Sequence, residues 1–167
     1  TSLTSITIPD SVTSIGTKLF AKCTSLTSVR LPNGAKEIPF ATFSGCTSLK
    51  SYQIPDGVTQ VGMWAFSSCT ALTSVTIPNG VTKIDQGAFS HCTSLTSITI
   101  PASVTTLGKS GFWKSENLKE VKFEGNAPEL EADNVFEGVS SDLKIFYHKG
   151  TTGWTSSPWN GYTTAVW

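Results

Sequence analysis

Four cysteines, two histidines and a wealth of hydroxyls are the residues of this 167-residue chain that could do chemistry. Cysteine stands at Cys23, Cys46, Cys69 and Cys92, each 23 residues after the last. Zinc sites bring thiolates together as Cys-x2-Cys pairs, and no such pair occurs here. A constant gap of 23 residues points instead to stacking, one cysteine per turn of a coiled chain. Successive rungs would then lie roughly 4.8 Å apart, inside the Cα window for a disulfide, so distance alone leaves Cys23 to Cys46 and Cys69 to Cys92 open as bridges. Ser115 takes the next rung, however, and a small, fairly apolar side chain is what such a ladder needs. Free buried thiols are the expectation.

Catalysis finds little support in the same residues. His91 fills a place held by Lys22, Gly45, Ser68 and Lys114 in neighbouring units, and a slot that accepts all of these faces water. Nucleophilic catalysis needs a base and an orienting acid within hydrogen-bond reach, and no Gly-x-Ser-x-Gly surrounds any serine. Leu107-Gly108-Lys109-Ser110 resembles the end of a phosphate-binding loop, but Ser103 stands where that loop needs glycine. The expectation is a protein that is not an enzyme and carries neither metal nor cofactor.

The elements that position these residues are legible from the same period. Leucine recurs at Leu3, Leu26, Leu49, Leu72, Leu95 and Leu118, proline at Pro9, Pro32, Pro55, Pro78 and Pro101, and phenylalanine at Phe20, Phe43, Phe66, Phe89 and Phe112. In each unit a run such as Leu72-Thr73-Ser74-Val75-Thr76-Ile77 alternates apolar and polar residues and reads as a short strand. Proline then ends it, lacking an N–H to donate, and Asp56-Gly57 or Asn79-Gly80 after it supplies a turn. Val81-Thr82-x-Ile84 reads as a second extended piece, and Gly87-Ala88-Phe89 as a tight helical or 3₁₀ turn back to the next strand. One such unit cannot bury its apolar residues alone, so stability must come from stacking like positions into ladders.

Charge and the two ends narrow the function. The 12 basic residues balance the 12 acidic ones, and residues 1–108 hold only six basic and four acidic side chains, so no basic stripe offers itself to nucleic acid. No run of 18 apolar residues is present, so membrane insertion within the chain is not expected. The chain opens inside a unit, since Thr1-Ser2-Leu3-Thr4-Ser5-Ile6 matches Thr24-Ser25-Leu26-Thr27-Ser28-Val29. Upstream coils and an export signal are therefore expected in a longer parent, and Leu3, Ile6, Ile8, Val12, Ile15 and Phe20 are expected to form an uncovered apolar edge through which the chain could self-associate. After residue 108 the pattern decays: Ser115 replaces cysteine, Glu124-Gly125 replaces the proline turn, and Phe136 follows Phe112 by 24 residues. The reading is one array over residues 1–138, about six coils with the last degenerate, closed by a C-terminal cap over residues 139–167 with Trp154, Trp159, Tyr162 and Trp167.

Alternation along a strand sends Ser5/Thr7, Ser28/Arg30, Ser51/Gln53, Ser74/Thr76, Ser97/Thr99 and Glu120/Lys122 outward in two columns. Repeat proteins commonly bind through such extended faces. Arg30, Gln53, Glu120 and Lys122 break the Ser/Thr monotony and are where specificity would enter. Trp64 and Trp113 fall where neighbouring units carry small or polar residues, so both rings are expected partly in water, packed against an adjacent coil in the favoured reading and, for Trp64, a candidate binding anchor in the other.

The unit Cys-x-x-Leu-x-x-Val/Ile-x-Ile/Leu-Pro-x-x-Val-x-x-Ile-x-x-x-Ala-Phe, cleanest at Cys69, Leu72, Val75, Ile77, Pro78, Val81, Ile84, Ala88 and Phe89, resembles the BspA-like class of leucine-rich repeat over residues 1–138. The resemblance implies a right-handed leucine-rich repeat superhelix, mostly β with short helical turns. It further implies a secreted or surface-anchored bacterial protein whose array serves adhesion to a host or microbial protein or glycan. A passive spacer that displays another domain at the cell surface is the alternative.

Overall fold

The stacking demanded by a 23-residue period is realised as a parallel β-solenoid of about seven turns. The computed structural model describes residues 2–154 and 159–167; Thr1 of the opening motif and residues 155–158 of the tail lie outside the described residues. The first coil contributes β1 (Ser5–Thr7), the second β2 (Ser28–Arg30) and β3 (Glu37–Ile38), and the third β4 (Ser51–Gln53) and β5 (Gln60–Val61). The fourth coil supplies β6 (Ser74–Thr76) and β7 (Lys83–Ile84), the fifth β8 (Ser97–Ile100) and β9 (Thr106–Leu107), and the sixth β10 (Glu120–Phe123) and β11 (Glu129–Leu130). The tail adds β12 (Lys144–Tyr147) and β13 (Thr164–Val166).

These strands stack in two columns. The strands β3, β5, β7, β9 and β11 make one continuous five-stranded sheet. The other column is paired as β1 with β2, β4 with β6, and β8 with β10, β12 and β13. All pairs are parallel and stay in register with the repeat: Ser5 lies opposite Ser28, Ser51 opposite Ser74, and Glu120 opposite both Ser97 and Lys144. Between the columns the proline turns are closed by their own carbonyls. Pro9, Pro32, Pro55, Pro78 and Pro101 each accept the N–H three residues on, at 3.0–3.1 Å.

The segment returning to the next strand differs from the helical or 3₁₀ turn its sequence suggests. Among the described residues it contains no helix. Alternate N–H groups serve the same coil and the next one: Thr42, Ser44 and Cys46 bond to Pro39, Ala41 and Phe43, while Ala41, Phe43 and Gly45 bond to Met63, Ala65 and Ser67. Positive φ recurs four residues apart in this segment, at Ala41 (52°) and Gly45 (76°), Trp64 and Ser68, Gly87 and His91, and Ser110 and Lys114, which breaks the helical path on either side of the phenylalanine. Inter-coil bonding overrides a local helical preference.

Phenylalanine fills the interior. Phe20, Phe43, Phe66, Phe89, Phe112 and Phe136 stack one on the next at 5.6, 5.1, 5.2, 5.6 and 5.3 Å between ring centroids. Each such pair contributes about 0.5–1.5 kcal/mol beyond area burial. The one-residue insertion before Phe136 is absorbed without breaking this column. Tyr162 closes it, meeting Phe136 edge-on at 5.4 Å, while Trp154 and Trp159 are buried against Phe123 at 5.1 and 5.8 Å. The tail thus extends the ladder by β12 and β13 and also covers its end. At the opposite end Leu3, Ile6, Ile8, Val12 and Ile15 are only half-buried, whereas Leu26, Ile38, Ile54 and Val58 in the same positions of later coils are fully buried. Phe20 departs from the expected edge: Phe43 covers it and it is 4% exposed.

Candidate binding face

The first column of strands carries the candidate residues because its apolar members must turn inward. Ile6, Val29, Tyr52, Val75, Ile98 and Val121 point to the core, which sends Ser28, Arg30, Ser51, Gln53, Ser74, Thr76, Ser97, Thr99 and Glu120 into solvent and leaves Lys122 half-buried. Registered pairing aligns them along the array. Threonines beside the strands have a structural duty instead: the Thr27 and Thr73 hydroxyls donate to the Thr4 and Lys50 carbonyls one coil back, at 3.0 Å each.

The charged members of this face are partly spoken for. The Arg30 guanidinium donates to both oxygens of Asp10 at 3.0 Å, and the Asn33 N–H donates to the same carboxylate at 2.8 Å. That backbone N–H, with Arg30 second, holds the Asp10 carboxyl below its usual value. Lys122 lies 3.7 Å from Glu120 and 5.5 Å from the centroid of the Trp167 ring. On the second column, Gln60 donates to Asp85 at 3.0 Å and Lys83 pairs with Glu131 at 2.9 Å, so those outward groups hold one coil to another.

Trp64 stands apart from this face, in the turn after β5. Its ring is half-buried and rests on Gly87 of the next coil, where a Cβ would come within 2.6 Å of the ring. Ala41, Trp64 and Ser110 adopt a similar positive φ at the same place in other coils, so it is the Trp64 ring rather than the φ of 62° that requires glycine at Gly87. Trp113 is likewise half-buried, with His91 edge-on at 4.8 Å and the Lys114 ammonium 4.5 Å from its centroid. His91 therefore packs on a neighbour rather than simply facing water. His148 is exposed and meets Trp167 edge-on at 5.6 Å.

The cysteines are free and buried, and their thiols have a use that spacing did not reveal. Cys46, Cys69 and Cys92 donate to the carbonyls of Phe20, Phe43 and Phe66 at 3.1, 3.2 and 3.2 Å. Ser115 donates to Phe89 in the same way at 2.8 Å. Burial pushes the Cys46 and Cys92 thiols up to about 12 and raises Cys69 as well. Among the described residues no three His, Cys, Asp or Glu side chains cluster as a metal site, and no helix is long and apolar enough to cross a membrane.

Two further residues of this region escaped the sequence reading. Tyr52 takes the inward place of Val29 and Val75, and its ring lies 4.9 Å from Phe43 and 5.4 Å from Phe66, with a buried hydroxyl that has no hydrogen-bond partner among the described residues. Asp56, read only as part of a proline turn, faces the same surface as Ser74 and Thr76. A single tyrosine in a column of Val and Ile is the signal that was available for the first. The second carries none, because Asp-Gly after proline is accounted for by the turn.

Comparison with known proteins agrees with this architecture. The chain is similar to the leucine-rich repeat protein of T. pallidum, at 28% identity and a TM-score of 0.74 over 96% of this chain and 85% of that one. It also resembles a leucine-rich cell surface protein of Faecalibacterium prausnitzii, at 24% identity and a TM-score of 0.67 over 98% of this chain and 52% of that one. A leucine-rich repeat protein of Eubacterium ventriosum matches at 24% identity and a TM-score of 0.58, over 89% of this chain and 43% of that one. The chain thus spans only about half the length of some of these proteins. No curated protein sequence matches it. The model of the BspA-type leucine-rich repeat region matches six copies over residues 1–119, and the chain belongs to that family.

Proposed function

We propose that this chain is a non-catalytic binding or adhesion module, secreted or held at a bacterial cell surface, that presents the face of its first strand column to a protein or glycan. The observation that carries this reading is the alignment of Ser28, Arg30, Ser51, Gln53, Ser74, Thr76, Ser97, Thr99, Glu120 and Lys122 on one surface, with the hydroxyl members free of the inter-coil bonds made by Thr27 and Thr73. Support also comes from similar structures, one of them a cell surface protein and another the pneumococcal vaccine antigen PcpA.

The test is binding of the chain to immobilised extracellular matrix proteins and to a glycan array, beside a variant carrying Ser51→Arg, Ser74→Arg and Ser97→Arg. These positions are exposed, and far-UV circular dichroism checks that the variant keeps the fold. Binding that is lost in the variant supports the reading; uniform inertness of the unaltered chain points to the passive spacer.

A further inference from the structure

The candidate face is grooved rather than flat. Ladder pairing joins β1 to β2, β4 to β6 and β8 to β10, but among the described residues none joins β2 to β4 or β6 to β8. A shallow groove of about 590 Å³ lies at the first opening, lined by Val29, Leu31, Tyr52 and Gln53 among others. One of about 760 Å³ lies at the second, lined by Val75, Ile77, Ile98 and Thr99 among others. Polar groups make up at least half of the lining of each groove, and the half-buried Val29 and Val75 supply exposed apolar surface within them. Val29 and Val75 are half-buried, whereas Tyr52, Ile98 and Val121, in the same inward place, are buried. Ser28, Ser51, Ser74, Thr76, Ser97 and Thr99 form hydroxyl rims.

Asp56 lines both grooves, and its carboxylate makes no ion pair or side-chain hydrogen bond among the described residues. Arg30, the cation of the first groove, is neutralised by Asp10, and the second groove has Glu124 at its margin and no cation in its lining. The pair of grooves therefore presents a partly exposed valine in each, hydroxyl-lined walls, and a negative charge shared between them.

We propose that this surface takes an extended peptide in the polyproline II conformation, laid across the strands, with an apolar side chain in each groove and a Lys or Arg between them facing Asp56. The proposal rests on the binding reading above and names the partner. Tyr52, the aromatic residue of the first groove, is buried and so offers no exposed ring face for a sugar to stack on, whereas strand edges without ladder partners suit a peptide's own donors and acceptors. Spacing decides the conformation. The grooves are separated by the paired β4 and β6, which puts their centres roughly 10 Å apart at about 4.8 Å per rung. In a β-strand, residues three apart point to opposite faces. A polyproline II helix repeats every three residues at about 3.1 Å each, which sets residues i and i+3 on one side about 9.3 Å apart and directs the residues between them sideways.

The experiment is an NMR titration of the chain with acetyl-Pro-Pro-Leu-Lys-Pro-Leu-Pro-Pro-amide and with the same peptide carrying Glu for Lys. Saturable shifts at Val29, Gln53, Val75 and Thr99, at least tenfold weaker binding of the Glu peptide, and reversal of that preference in Asp56→Lys would support the proposal. Equal binding of the two peptides, or shifts elsewhere on the surface, would overturn it. If neither peptide binds while the serine-to-arginine variant still loses matrix or glycan binding, the face is a binding site and only the peptide assignment fails. If neither probe nor array shows binding at this face, both readings fall together.

Discussion

Cysteine and serine exchange at one rung of this array because both donate to a phenylalanine carbonyl one coil back. Cys69→Ser should therefore be milder than Cys69→Ala, which leaves that carbonyl with one bond fewer; a net hydrogen bond is worth about 0.5–1.5 kcal/mol, and chemical denaturation of the two variants measures the difference. Thiol titration should find little reaction in the native protein and about four thiols after unfolding without reductant, the number the sequence supplies. The raised thiol values also carry a pH signature. A thiol held neutral by burial stabilises the fold below its unfolded value near 9.0, and that contribution is lost as pH rises from there toward the folded value of about 12 for Cys46 and Cys92. Alkaline destabilisation should accordingly begin near pH 9 and be reduced in a Cys46→Ser, Cys92→Ser variant, as followed by thermal unfolding across that range.

Single strands of two to four residues have no independent stability, so each element holds only through the coil on either side. Phe66 in the middle of the ring column is fully buried, and Phe66→Ala should cost about 3–5 kcal/mol by denaturant titration. Ser74→Ala on the outward side of β6 should cost no more than about 0.5 kcal/mol. Equal effects would reverse the inward and outward assignment. Tyr52→Phe removes a buried hydroxyl that has no partner while keeping both ring contacts, so it should leave stability unchanged or raise it by about 1–3 kcal/mol. The strand period, the proline turns and the two outward columns were all legible in the repeat. The return segment was not, because alternation between bonds within a coil and bonds to the next coil exists only once coils are stacked.

At the scale of the whole molecule, the two ends differ in how they are covered. Tyr162, Trp154 and Trp159 close one end, while the apolar residues of the first coil stay half-buried at the other. Amide exchange should be fastest in residues 2–22 of the monomer; slowest exchange there would contradict this picture. The Asp10 to Arg30 contact ties that coil to the second. Because the folded value of Asp10 is depressed from 3.8, its contribution is present above that pH and is lost as pH falls through the lower folded value, so protection from exchange in the first coil, taken relative to the intrinsic exchange rate, should fall selectively below about pH 4.

What the sequence by itself determined is everything that repeats: the 23-residue rung, the inward ladders and their outward complement, since a side chain's direction follows from its place in the period. Tertiary structure decided what depends on contact between unlike neighbours. It set Trp64 on Gly87, neutralised Arg30 with Asp10, and opened the ladder after β2 and β6 while leaving the second column continuous. A repeat specifies each position only as an average over its copies, whereas these features arise from the particular residues that stacking brings together.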